Sequence, residues 1–168
     1  MATTEWWQRG PVQGVPPLLQ PVAHILLQVR ESVDELTTNL TEAQWNARPA
    51  DVASCAFHVR HIPGVIDRLF TYARGESLSD AQFAALRGEG EHLAAADVPR
   101  ALDTLRTRVD AAVDELRRTD ASTLGDFRAV GRAKLPSTVI GCLVHGAEHA
   151  MRHVGQLSVT ARIVRELV

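Results

Sequence analysis

From Pro17 to Leu40 the apolar residues Leu19, Val22, Ile25, Leu26, Val29, Val33, Leu36 and Leu40 recur at intervals of three and four. That spacing follows the 3.6-residue helical turn, so the segment forms a helix with one dry stripe that has to be buried against a partner. The pattern returns from Val52 to Arg74, where Phe57, His61, Val65, Leu69 and Tyr72 share a face and Gly75 marks the stop. It returns again from Val98 to Thr119, introduced by Asp97 and Pro99 and carrying Leu102, Leu105, Val109, Ala112, Val113 and Leu116 inward. A fourth helix is predicted to open at Leu135-Pro136-Ser137-Thr138 and to run to Glu166, with Val139, Leu143, Gly146, Ala150, Leu157 and Ile163 on its apolar side. Four such stripes cover one another in a four-helix bundle, so the expected class is all-α.

The connections are uneven. Thr41-Glu-Ala-Gln and Ser79-Asp-Ala-Gln are capping-box signals for two short helices, one carrying Trp45 and one ending near Leu86. Gly88-Glu-Gly90 breaks the chain before the third long helix, which makes the connection between the second and third long helices a long one. Asp120 to Leu135, with Gly125 and Gly131, reads as a loop, and no strand ladder is expected. Pro63 falls inside the second helix and removes the hydrogen bond to the Val59 carbonyl, so a kink is predicted close to His61. Trp6 and Trp7 are expected to place at least one indole against the core.

Composition narrows the function classes. The chain has 168 residues, the size of one ordinary domain, and residues 1–168 are taken as one. A net charge of −2 gives no electrostatic reason to expect nucleic acid, which usually demands a basic face. Cys55 and Cys142 are far apart and form no Cys-x-x-Cys pair, which argues against a disulfide scaffold and fits a reducing cytoplasm. Met1-Ala-Thr-Thr-Glu-Trp-Trp has no basic or apolar leader pattern, and no apolar run approaches a membrane span.

The chemistry gathers near the end of the sequence, in His145-Gly-Ala-Glu-His149-Ala-Met-Arg-His153-Val-Gly-Gln156. Three imidazoles at intervals of four fall within a stripe roughly 80° wide, and an i, i+4 pair with Cβ atoms about 5–6 Å apart can hold one divalent ion. His58-Val-Arg-His61 on the second helix offers a third ligand. Of these two, His61 is the candidate; His58 lies about 60° around the helix and reads as a surface or packing residue. His145 reads equally as a ligand or as a pocket-lining side chain, and Gln156, three residues past His153, is placed to hydrogen-bond a bound group. His24 and His92 are assigned no role. Gly146 and Gly155 are read as points of close helix approach. Other signatures fail. A zincin needs glutamate where residue 146 is glycine. The one Glu-x-x-His match, Glu89-Gly90-Glu91-His92, lies in a glycine-broken loop with no partner motif of the di-iron kind. Neither a nucleophile elbow nor a P-loop is present, and Cys142 reads as core.

Five stretches together resemble the DinB/YfiT-like superfamily of metal-binding four-helix bundles: Leu40-Thr-Glu-Ala-Gln-Trp-Asn-Ala-Arg-Pro49, Phe57-His-Val-Arg-His-Ile62, Asp67-Arg-Leu-Phe-Thr-Tyr-Ala-Arg-Gly75, Val130-Gly-Arg-Ala-Lys-Leu-Pro136 and Glu148-His-Ala-Met-Arg-His-Val-Gly-Gln-Leu157. The resemblance implies a three-histidine site with His61, His149 and His153 as ligands. It also implies a divalent ion, zinc or nickel, and a homodimer. It implies a metal-dependent transferase that activates a low-molecular-weight thiol (bacillithiol, mycothiol or glutathione) for attack on an electrophile. His145 and Gln156 are then the candidates for orienting substrate or water. The alternatives are a metal-dependent hydrolase, a non-catalytic metal- or small-molecule-binding stress protein, and a structural protein whose histidines are polar core residues.

Overall fold

The computed structural model describes residues 4–167. The part of the N-terminal reading that falls on Met1, Ala2 and Thr3 lies outside the described residues. Six helices carry the fold: α1 (Gln20–Leu36), α2 (Glu42–Asn46), α3 (Cys55–Ala73), α4 (Asp80–Gly88), α5 (Val98–Arg118) and α6 (Val139–Leu167). The four long ones form the bundle. Helices α1 and α3 each pack on both α5 and α6, so α1 and α3 stand on opposite corners.

The core follows the periodicity read from the chain. On α1, Val22, Leu26, Val29 and Val33 are buried; on α5, Leu105, Val109, Ala112, Val113 and Leu116 are. Helix α3 turns slightly differently from the expected face. Val59, Ile62, Ile66 and Phe70 are fully buried, and the line Phe57–His61–Val65–Leu69 flanks them. On α6, Val154 and Val164 are buried, and Ile163, expected inside, is 37% exposed. Of the two indoles, Trp6 packs against the core and Trp7 stays exposed.

Local signals end and start these helices as the chain chemistry dictates. Thr41 and Gln44, and again Ser79 and Gln82, make reciprocal capping boxes at the starts of α2 and α4. Ser54 caps α3 by accepting from the Phe57 amide, so that helix begins three residues later than the apolar run. Helix α3 runs through Pro63 as one element, and Gly75 follows it with φ +78.

The region between α5 and α6 corrects the expectation of a bare loop. Phe127–Val130 (β1) and Leu135–Thr138 (β2) pair as an antiparallel hairpin, with Val130 opposite Leu135 and Ala129 opposite Pro136. Leu135-Pro136-Ser137-Thr138 is therefore strand, and α6 starts at Val139. Proline is tolerated there because both strands of a two-stranded ribbon are edges. Strands of four residues are too short for an alternation signal, which is why the periodicity missed them.

Two glycines on α6 behave differently. A Cβ on Gly146 would meet Leu69 Cβ at 3.4 Å and Phe70 Cε2 at 3.5 Å, so this residue sets how closely α3 and α6 approach. A Cβ on Gly155 would meet nothing within 4 Å, so the packing role expected for that residue is not found.

Both thiols are buried, and burial pushes Cys55 up to about 11. Neither cysteine should react with a disulfide reagent in the native protein, and both should react at once in denaturant. Fast labelling of the folded chain would contradict this packing. Gly146→Val should lower stability by ~1–3 kcal/mol in urea unfolding, because extra methyls have no room between the helices. An unchanged midpoint would show that α3 and α6 are not held at this distance.

Candidate metal centre

Helices α3 and α6 run antiparallel, and the contacts between them descend in order. Gly146 lies on Leu69 and Phe70, His149 on His61, His153 on His58, and the Thr160 hydroxyl donates toward the Ala53 carbonyl. The intervals of three and four along both helices put the imidazoles in that seam. His61 Nε2 is 3.2 Å from His149 Nε2, which is 3.1 Å from His153 Nε2. His61, His149 and His153 form a group able to hold a metal ion, each offering one nitrogen.

The donor set fits a divalent ion. Three nitrogens, each ~2.0–2.1 Å from a tetrahedral ion, stand about 3.3 Å apart, close to the spacing found here. The hydrogen-bond partners of the outer nitrogens explain why Nε2 faces inward. His61 Nδ1 lies 2.6 Å from Glu89 Oε2 and donates to it, leaving a lone pair on Nε2. His153 Nδ1 lies 3.0 Å from His58 Nδ1. If His153 donates there, its Nε2 is also a lone pair, and a cation relieves the crowding of converging lone pairs. His149 Nδ1 is buried with no hydrogen-bond partner among the described residues.

Burial and neighbouring rings hold His149, His153 and His58 toward the neutral form, the form a metal ligand needs. Burial pushes His153 down to about 4, with His61, His58 and His149 adding to it. Burial also lowers His149, assisted by His61 and His145. His58 is pushed down to about 4 by burial and then by His61. Burial alone would raise the Glu89 carboxyl, but hydrogen bonds from His61 and Arg68 outweigh it and hold the carboxyl below its ordinary range.

The structure separates the residues singled out in the sequence. His58 is 1% exposed and supports His153 from behind, which corrects the surface reading; its packing role stands. Sixty degrees around α3 moves it to the deeper side of the same seam. His145 is half exposed, its ring edge-on to His149 at 5.4 Å and its Nδ1 3.3 Å from Glu148 Oε2. Gln156 is exposed. His24 contacts the Gly10 carbonyl and His92 pairs with Glu42, both away from the cluster.

Two participants were not read from the chain. Phe57 stacks on the His61 ring at 5.0 Å between centroids and also touches His58 and His153, making an apolar wall. Glu89 sits in the glycine-broken segment Gly88-Glu-Gly90, just past α4. It is 5% exposed, and its other oxygen accepts from Arg68 Nη1 at 2.7 Å. Nothing in the local sequence signals this role, because Glu89 reaches His61 only once α4 folds back on α3. A groove of about 730 Å³ between α3, α4 and α5 is lined by Glu89 but by none of the three histidines, so this groove is not the mouth of the centre.

Arg68 and Glu89 form a buried ion pair, and breaking one strands the other charge. Arg68→Met should destabilise the protein by ~3 kcal/mol in urea unfolding. A loss below ~1 kcal/mol, the worth of a surface pair, would show that the pair is solvated.

A search of the curated proteins finds no match to this chain. The family model of the DinB superfamily matches residues 25–157, from the first turns of α1 to the middle of α6, and so spans Glu89 and all three histidines. The match covers most of the chain, and the protein belongs to the DinB superfamily.

Proposed function

We propose that the protein is a metal-dependent transferase that activates a low-molecular-weight thiol for attack on an electrophile, with zinc or nickel held by His61, His149 and His153. The observation that carries this reading is the convergence of three imidazole nitrogens at 3.1–3.2 Å in the α3–α6 seam. A divalent ion held by three neutral imidazoles would keep its full charge and an open position, which lowers the pKa of a thiol that enters there.

The chain's own side chains supply the rest. Glu148 beside His145 Nδ1 orients that ring and leaves Nε2 free, so His145 takes the thiol proton and, being half exposed, passes it to solvent. The sulfur then forms the new bond to the electrophilic carbon, and the leaving group departs with the electrons of the bond that breaks. Phe57 closes one side of the centre against water. Gln156, one turn beyond His153 at the surface, contacts the electrophile. The family resemblance also implies a homodimer; Val159 and Ile163, exposed together with Gly155 on the outer side of α6, support a contact there. No helix of the described residues is long and apolar enough to cross a membrane.

The test is a transfer assay with bacillithiol, mycothiol and glutathione against a panel of electrophiles. Turnover should fall to background on chelation and in His149→Ala/His153→Ala. His145→Ala should lower kcat by about 10²–10⁴-fold, the usual worth of a general base. Turnover that persists in excess chelator would overturn the proposal.

A further inference from the structure

We infer that Glu89 is a positioning residue that locks His61 into its metal-ligating tautomer and orientation before any ion arrives, and that Gly64 exists to admit it. The inference rests on reading the three-histidine cluster as a metal site. Both carboxylate oxygens are committed, one to His61 Nδ1 at 2.6 Å and one to Arg68 Nη1 at 2.7 Å. An ionised carboxylate only accepts, so the shared proton belongs to His61 Nδ1, and Nε2 keeps the lone pair that faces His149. Arg68 pins the carboxylate from the other side and prevents it from rotating away.

Glu89 belongs to neither of the helices that carry the histidines. It follows α4 directly, on a strap that runs to α5. That strap is fastened at several points. Arg60 donates to the Glu91 and His92 carbonyls, Asn46 exchanges hydrogen bonds with both backbone groups of Leu93, and Leu93 is 1% exposed. Such an arrangement holds a side chain in place without help from a ligand.

Gly64 lies three residues past His61 and four before Arg68, on the same stripe of α3. A Cβ there would stand 2.5 Å from Glu89 Oε1 and 2.8 Å from Arg68 Nη1. A helix interior disfavours glycine, yet any side chain at this position forces the Glu89 carboxylate or the Arg68 guanidinium to shift. Of the three candidate ligands, only His61 has a hydrogen-bonded anionic partner among the described residues. His153 is backed by the neutral His58, and His149 Nδ1 has no partner among the described residues. Carboxylate backing raises the ligand's basicity and fixes its ring, and losing such a partner costs about 10–100-fold in metal affinity.

The test combines Co²⁺ titration, read by its visible d–d bands, with long-range ¹H–¹⁵N NMR of the histidines in the metal-free protein above the imidazole titration range. Metal-free wild type should show His61 as the Nδ1–H tautomer. Glu89→Gln and Gly64→Ala should weaken Co²⁺ binding about 10–100-fold and shift the bands. Glu89→Gln/Arg68→Met removes both buried charges, so it guards against misfolding by a stranded arginine; it should keep the melting temperature of the metal-free protein yet bind equally weakly. A purely structural clamp would lower that melting temperature and leave affinity and bands alone. The inference is overturned if the double variant binds Co²⁺ within about twofold of wild type, or if metal-free His61 is the Nε2–H tautomer. Wild type that binds no Co²⁺, Zn²⁺ or Ni²⁺ would overturn the metal site itself, a different failure from a wild type that binds and a variant that binds equally well.

Discussion

The close antiparallel approach of α3 and α6 is the constraint on which the rest depends. Gly146 has no side chain, so Leu69 and Phe70 come within 3.4–3.5 Å of where its Cβ would be. Each further turn down the seam then pairs a residue of one helix with one of the other, and the histidines occupy the turns below that contact. Move the helices apart by one methyl, and Nε2 atoms now 3.1–3.2 Å apart lose their common focus. The apolar core on either side, with Val59, Ile62, Ile66, Ala147, Ala150 and Leu157 fully buried, keeps the seam rigid. A polar centre can thus be placed by packing alone and tuned by hydrogen bonds afterwards.

The electrostatics follow from that placement. In this partly dry seam desolvation, with help from the neighbouring rings, lowers the proton affinity of His58, His149 and His153. Neutral rings are poor ion-pair partners but good metal ligands. The buried negative charge beside His61, on Glu89, is compensated by Arg68 on its far side. An uncompensated carboxylate would not remain ionised at this depth, and an uncompensated arginine would not remain buried. The three groups stand or fall together.

Much of this was legible in the chain because it is periodic. Apolar intervals of three and four placed α1 and α5 with their buried faces, capping boxes at Thr41 and Ser79 gave the short helices, and the i, i+4 histidines declared a shared face. What escaped was of another kind. Glu89 reaches His61 across a fold-back of α4, a tertiary event with no local spacing, and its glycine neighbours pointed to a loop. Gly64 reads as a helix weakness until the carboxylate above it is seen. His58 was set aside on an angle of about 60°, but in a seam between two helices that angle separates an inner layer from an outer one. The β1–β2 hairpin is too short to alternate, and Pro136 imitates a helix start. Gly155 and Gly146 are alike in sequence and opposite in environment.

The metal centre stands or falls on whether these three histidines bind one ion together. X-ray absorption at the metal edge of the zinc- or nickel-loaded protein tests this directly. A first shell holding three imidazole nitrogens at ~2.0–2.1 Å, with the outer-ring scattering of histidine and no sulfur, is the predicted result. A shell of oxygens alone, or one histidine per ion, would contradict it: the cluster would then be a set of packed polar core residues and the metal an adventitious surface ligand.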